Sequence, residues 1–255
     1  MRAEEKLLSQ ISPKLFSIRC LEMVIYMSSK DLKNNECIYI ILIKSLTGLG
    51  KLSRRISKYD YSHIAVSFDE KLNDFLTFSR KKHYSPFQAG FMHEKREYYA
   101  FGKNERVKVK VFKIPVSRSD FNLIKDYIYK IENDKEYIFN LYSMLTMPVF
   151  HGIEIYKAHN CMSFVSKVIE LSNSVLMKKK YYKYDIKEID EFLAPYFYKE
   201  YYLEKEEAKE EAKEDTYMKR DNLVLHLKYF FELNGKLLYR MVFKDKCKSP
   251  FNMLQ

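Results

Sequence analysis

"YSHIAVSFD" (residues 61–69) and "HNCMSFVSKVIE" (residues 159–170) are the two stretches on which the reading of this chain turns. The first alternates like a half-buried strand and is led by a histidine. The second places Phe164, Val165, Val168 and Ile169 at helical offsets from Cys161, so the cysteine opens a helix and shares its inward stripe. Asn160, just before it, is a favoured N-cap. A helix N-terminus offers unpaired N–H groups and the positive end of the helix dipole. That environment stabilises a thiolate and can hold the oxyanion formed when a thiolate attacks a carbonyl. Most free cysteines are simply small buried hydrophobes; the capped first turn is what gives this one a claim to chemistry.

His63 shares a face of its strand with Ala65 and Ser67, whose small side chains leave room for a helix or a substrate. A lone strand histidine is more often structural. A cysteine within reach changes that balance, because imidazole titrates near neutrality and is the usual base for a thiol. His159 is a rival base, although it would have to fold back from a loop. Catalysis requires the Cys161 sulfur within a hydrogen bond, or one water, of the His63 ring; side chains on opposite faces of the sheet would rule it out.

Outward from these motifs, "CIYIILI" (37–43) reads as a buried strand, "SLTGLGKLSRRISKY" (45–59) as a loop and a short basic helix, and "HIAVSFDEKLNDFLTFSR" (63–80) as a hairpin turning at "DEKLND". Residues 81–104 mix Pro, Gly, His and aromatics and are expected to be irregular, with "HYSPFQAGFMHE" (83–94) flanking a cleft. "RVKVKVFKIP" (106–115) alternates Val with Lys and should end at Pro115. "SRSDFNLIKDYIYKI" (117–131) has a serine cap and Phe121, Ile124, Ile128 and Ile131 on one face, the pattern of a helix. "EYIFNLYSMLTMPVF" (136–150) suggests a second helix stopped by Pro148. Residues 3–29 read as a helix in two pieces around Pro13. Residues 222–243 fit either a hairpin around "ELNGK" or one final helix.

The 255 residues carry a net charge of +11. The run "EKEEAKEEAKED" (204–215) sets three lysines against seven acids, a net −4, so the rest carries +15. That excess suits anionic lipid, acidic polymers or nucleic acid and does not choose among them. No nucleic-acid-binding motif stands out, so that partner is disfavoured, and peripheral membrane contact stays open. Four separated cysteines (Cys20, Cys37, Cys161, Cys247) show no CxxC pair and no disulfide framework. The longest apolar run is far short of the ~18 residues a membrane span needs, and "MRAEEKLLSQ" has acids where a signal peptide is basic. The expectation is a cytoplasmic chain with reduced thiols, needing no cofactor or metal.

A histidine-led strand, a hairpin, a further strand and, much later, a helix opening "NCxxFV" resemble the circularly permuted papain-like cysteine hydrolases. This is the permuted NlpC-type superfamily, with its YiiX-like and lecithin:retinol acyltransferase-like branch. The resemblance spans about residues 36–195 and rests on "SHIAVSFD" and "HNCMSFV". It implies an α+β fold, a mainly antiparallel sheet packed against the helix that carries the nucleophilic cysteine. The domain would occupy residues 36–203, between a helical N-terminal extension (1–35) and a charged connector with a C-terminal extension (204–255). Removing that last part is expected to leave the site intact. The resemblance further implies Cys161 as nucleophile and His63 as general base and acid. Its third residue is a polar group on the strand after the histidine. Ser79 is the best match, with Thr77 and Arg80 as alternatives set by hairpin parity. The activities implied are peptide or amide hydrolysis and acyl transfer from lipids, all through a thioester. The partner would be a peptide or lipid acyl substrate, anionic if the basic stretch "KKKYYK" (178–183) meets it. Two other readings remain: a catalytically inactive relative that binds a lipid or peptide in the same cleft, and a basic adaptor.

Overall fold

The computed structural model describes residues 36–101, 103–205 and 216–244; the expected helices within 3–29 and most of the acidic run lie outside them. Six of the strands form one sheet: β1 (Glu36–Ile43), β2 (His63–Ser67), β3 (Phe75–Arg80), β4 (Ala89–Glu94), β5 (Arg106–Val116) and β8 (Phe197–Glu204). Their order is β4-β3-β2-β1-β5-β8, antiparallel throughout. Two residues each of β6 (Ile138–Phe139) and β7 (Ala158–His159) form a small parallel ladder. The helices are α1 (Gly48–Ser57), α2 (Arg118–Asn133), α3 (Leu141–Phe150), α4 (Cys161–Leu171), α5 (Ile186–Leu193) and α6 (Leu223–Phe243). The molecule is α+β with a mainly antiparallel sheet.

The sheet is buried on both faces, which is why "IYIILI" in β1 is apolar at every position rather than alternately. On one face Ile38, Ile40, Leu42, Ile64 and Val66 join a core with Phe164, Val165, Val168 and Ile169 of α4. Ile124, Ile128 and Ile131 of α2 complete that layer. On the other, Tyr39, Ile41, Ile43, Ala65 and Phe75 pack with Leu72 and Tyr99 in a smaller cluster. The 63–80 hairpin forms as its turn residues suggest. Ser117 caps α2 by accepting from the Asp120 N–H.

Several elements depart from expectation. The 81–104 segment holds β4 and a short 3-10 turn (Arg96–Tyr98), because "AGFMHE" finds the free edge of β3 to pair with. β5 runs through Pro115 to Val116 instead of stopping there. Pro115 is close to the end of the ladder, where a missing N–H costs little. Pro148 lies inside α3; the helix stops later, at His151 in the left-handed conformation. Gly152 follows with φ +82°, and a Cβ there would stand 2.2 Å from the Tyr182 carbonyl oxygen. Residues 197–204, not anticipated as a strand, add the β8 edge to β5.

Residues 222–243 are one helix, capped by Asn222, whose side chain accepts from the Leu225 N–H. It does not stand apart from the domain. Leu233 and Leu237 enter the main core. Arg240 donates to the carbonyls of Tyr156, Lys157 and Glu136 at 3.0, 3.0 and 2.7 Å. Those carbonyls flank the β6–β7 ladder that leads into Cys161, so the C-terminal helix braces the approach to the candidate site. No helix among the described residues is long and apolar enough to cross a membrane.

Candidate active site

The head of α4 is fixed by a reciprocal cap. The Asn160 side chain accepts from the Ser163 N–H at 2.8 Å, and the Ser163 hydroxyl accepts from the Asn160 N–H at 3.0 Å. Two of the helix's orphan donors are thus satisfied locally, and Cys161 is held as the first helical residue. Phe164 packs edge-on or tilted against Phe78 and Phe91, which sets the helix across β3 and β4. Cys161 itself is buried, 8% exposed.

His63 is the first residue of β2, opposite Ile43 at the end of β1. Strand parity groups it with Ala65 on the smaller core, away from Ile64 and Val66, which face α4. At a strand's first position, however, a ring can swing to the end of the sheet. The Cys161 side chain nevertheless comes close enough to the His63 imidazole to favour its charged form. The structure brings the two residues together even though the body of the strand separates their faces.

The ring's other partner is Glu94, the last residue of β4. Its Oε2 lies 2.8 Å from His63 Nε2. Glu94 is 3% exposed and also accepts from Tyr99 Oη on Oε2 and from Ser79 Oγ on Oε1, the latter at 2.6 Å. A buried carboxylate with three donors is well satisfied. Burial alone would raise its pKa; the facing imidazolium and the bonds from His63, Ser79 and Tyr99 overcome that and hold it below the usual carboxylate range. For His63, burial works against the charged ring, but the Glu94 carboxylate, the nearby Cys161 and the bond to Glu94 raise its pKa to about 10. The arrangement is a charged imidazole beside Cys161 and paired with a carboxylate.

Ser79 therefore does not orient the imidazole itself: the group on the ring is Glu94, and Ser79 steadies that carboxylate from behind. The alternatives are engaged elsewhere. Thr77 Oγ1 donates to the Ile64 carbonyl at 2.8 Å, and Arg80 donates to the His83 carbonyl at 2.8 Å. Glu94 does not stand out in the sequence because "SPFQAGFMHE" reads as a loop. The available signal was the one glutamate closing "AGFMHE", a short segment able to pair beside the histidine hairpin. Even the ladder would have misplaced it, since Glu94 stands opposite Phe75 rather than Ser79. The bond from Ser79 Oγ to Glu94 therefore runs diagonally across the β3–β4 pair.

His159, the rival base, belongs to the core. Its Nε2 is 3.1 Å from Tyr127 Oη, its Nδ1 is 3.4 Å from Ser163 Oγ, and its ring stacks on Tyr137. Burial, and secondarily the Lys167 charge, push its pKa down to about 3. It is a neutral, hydrogen-bonded packing residue. Among the described residues no cluster of three or more His, Cys, Asp or Glu side chains could hold a metal ion. Comparison of the chain with family models, with curated proteins and with solved structures finds no match.

Proposed function

We propose that this chain is a cysteine hydrolase of the permuted papain-like type, a peptidase, amidase or acyltransferase working through an acyl-enzyme on Cys161. The observation that carries the reading is His63 held between the Cys161 thiol and the buried Glu94 carboxylate, with the thiol at a capped helix N-terminus. Chemistry follows from those positions. With His63 carrying the proton as imidazolium, Cys161 attacks a substrate carbonyl as the thiolate of that ion pair, forming a C–S bond. The oxyanion receives N–H groups of the first turn of α4. As the tetrahedral intermediate collapses, the imidazolium gives its proton to the departing amine or alcohol and the C–N or C–O bond breaks. His63 then takes a proton from water, or from an acceptor hydroxyl or amine, whose attack on the thioester breaks the C–S bond, releases the acyl group and restores the thiolate–imidazolium pair. Glu94 keeps the imidazole oriented and stabilises its charged form, the part a carboxylate plays in hydrolase triads; Ser79 and Tyr99 position Glu94.

The competing reading is a cleft that binds a lipid or peptide without chemistry, and the 8% exposure of Cys161 favours it. An activated acyl probe decides between them. Incubation with an acyl thioester or p-nitrophenyl ester followed by peptide mass spectrometry should find the acyl group on Cys161 and turnover on longer incubation. Acylation absent at Cys161, or equally fast in His63→Ala, would sink the enzyme reading.

A further inference from the structure

Among the described residues, the α6 helix buries one apolar face and leaves a second one exposed. Leu233 and Leu237 face the core. On the outward side Val224, Leu227, Phe231, Asn234, Leu238 and Met241 follow one another at spacings of three and four, the a/d phase of a helix–helix seam. Its apolar members lie open to solvent, Val224 at 73% and Phe231 at 68% exposure. The surface continues onto α3. Tyr142 Oη donates to Asn234 Oδ1 at 2.9 Å, and Leu145 and Val149, on the same side of α3 as Tyr142, are exposed at 63% and 70%.

We infer that the outward face of α6, continued by Leu145 and Val149 of α3, is a self-association surface whose occupant is a second copy of this chain. Two observations select that occupant. The heptad phase calls for another helix, since knobs spaced this way fit the holes of a facing helix, whereas a bilayer accepts an apolar stripe in any phase. The area is also of the right size. At about 150–200 Å² per large side chain, the exposed fractions leave on the order of 700 Å² of apolar surface. A stable interface buries about 800 Å² per partner, and a monomer's largest apolar patch is usually about 300–600 Å². A two-fold pairing needs only that each copy present the same patch. Asn234, in the middle of the stripe, already donates from its amide to the Phe230 carbonyl and accepts from Tyr142, so both its polar atoms keep a partner when it is covered. The inference is independent of the acyl-transfer reading.

Sedimentation velocity and light scattering on the full chain, from about 1 to 100 µM, should give a mass approaching twice the 30.8 kDa of one copy. Phe231→Asp and Leu238→Asp, both at exposed positions, should weaken association at least about ten-fold while leaving the far-ultraviolet dichroism unchanged. Leu145→Asp on α3 should weaken it too, and stands in if the α6 variants fail to fold. A full chain that stays at the mass of one copy across that range overturns the inference. That holds whether its own residues beyond those described or added phosphatidylcholine vesicles are found to cover the face. A dimer that all three substitutions leave intact overturns it as well.

Discussion

At the scale of single residues, the two histidines nearest Cys161 are driven in opposite directions by what surrounds them. His63 gains a carboxylate partner and its pKa rises to about 10, so the folded protein holds a proton that the unfolded chain releases above about 6.5. Its contribution to stability is fully present below that lower value and is lost as pH rises toward 10. Thermal melts of wild type and His63→Gln should therefore differ most near pH 6 and converge by about pH 10. His159 is the reverse case. With its folded pKa near 3, the unfolded chain binds the extra proton, so stability falls as pH drops from about 6.5 toward 3. His159→Phe should flatten that acid limb in a urea titration repeated across pH, whatever it costs at neutrality. For chemistry the critical residue is Glu94. Glu94→Gln keeps the shape and removes the charge that favours imidazolium, so iodoacetamide labelling of Cys161 at pH 6 should slow by about ten-fold or more. Ser79→Ala should slow it less, because it loosens the carboxylate without discharging it. Equal effects from both substitutions would mean that Glu94 acts only by packing.

Elements set those residues in place. α4 begins at Cys161 because Asn160 and Ser163 close a reciprocal cap, and it stays on the sheet because Phe164, Val165, Val168 and Ile169 are fully buried. Asn160→Ala should cost about 1 kcal/mol in chemical denaturation. It should also blunt the selectivity of Cys161 labelling over the other cysteines, since the first turn would no longer be held. A cap variant that loses stability yet labels as before would detach the helix terminus from the chemistry. β4 matters as much: pairing with β3 converts a Pro- and Gly-marked stretch into the strand that delivers Glu94.

Across the whole molecule, the C-terminal helix is the element whose role changes most between sequence and structure. Leu237 is fully buried in the main core, and Leu237→Ala should destabilise by about 2–5 kcal/mol. Arg240 ties the same helix to carbonyls beside the ladder entering Cys161. Cutting the chain after residue 204 should therefore lower the melting temperature and disturb Cys161 labelling together, contrary to the expectation of a dispensable tail. A truncated protein that melts and labels like the full chain would show the brace to be idle. Seen from outside, the opposite face of that helix is the large apolar surface assigned above to a second copy.

What the sequence determined by itself was local. Helical offsets placed Phe121, Ile124, Ile128 and Ile131 on one face of α2. Asn160 marked the start of α4, alternation marked the strand led by His63, and the unbroken apolar run of β1 marked a strand covered on both sides. These follow from the 3.6 and 2.0 periodicities and from cap chemistry, which act within a few residues. The histidine–cysteine pairing was legible as an order of motifs, but strand parity alone would have set the two side chains on different faces. Only the packed structure settles their meeting, at the end of β2 and the head of α4. Glu94 could not be read at all, because its place depends on β4 finding the β3 edge and on a twisted diagonal across two strands. The Arg240 brace depends likewise on which helix lies over the β6–β7 ladder. Contacts between residues tens of positions apart are fixed by the burial of the whole core, and no window of sequence contains that information.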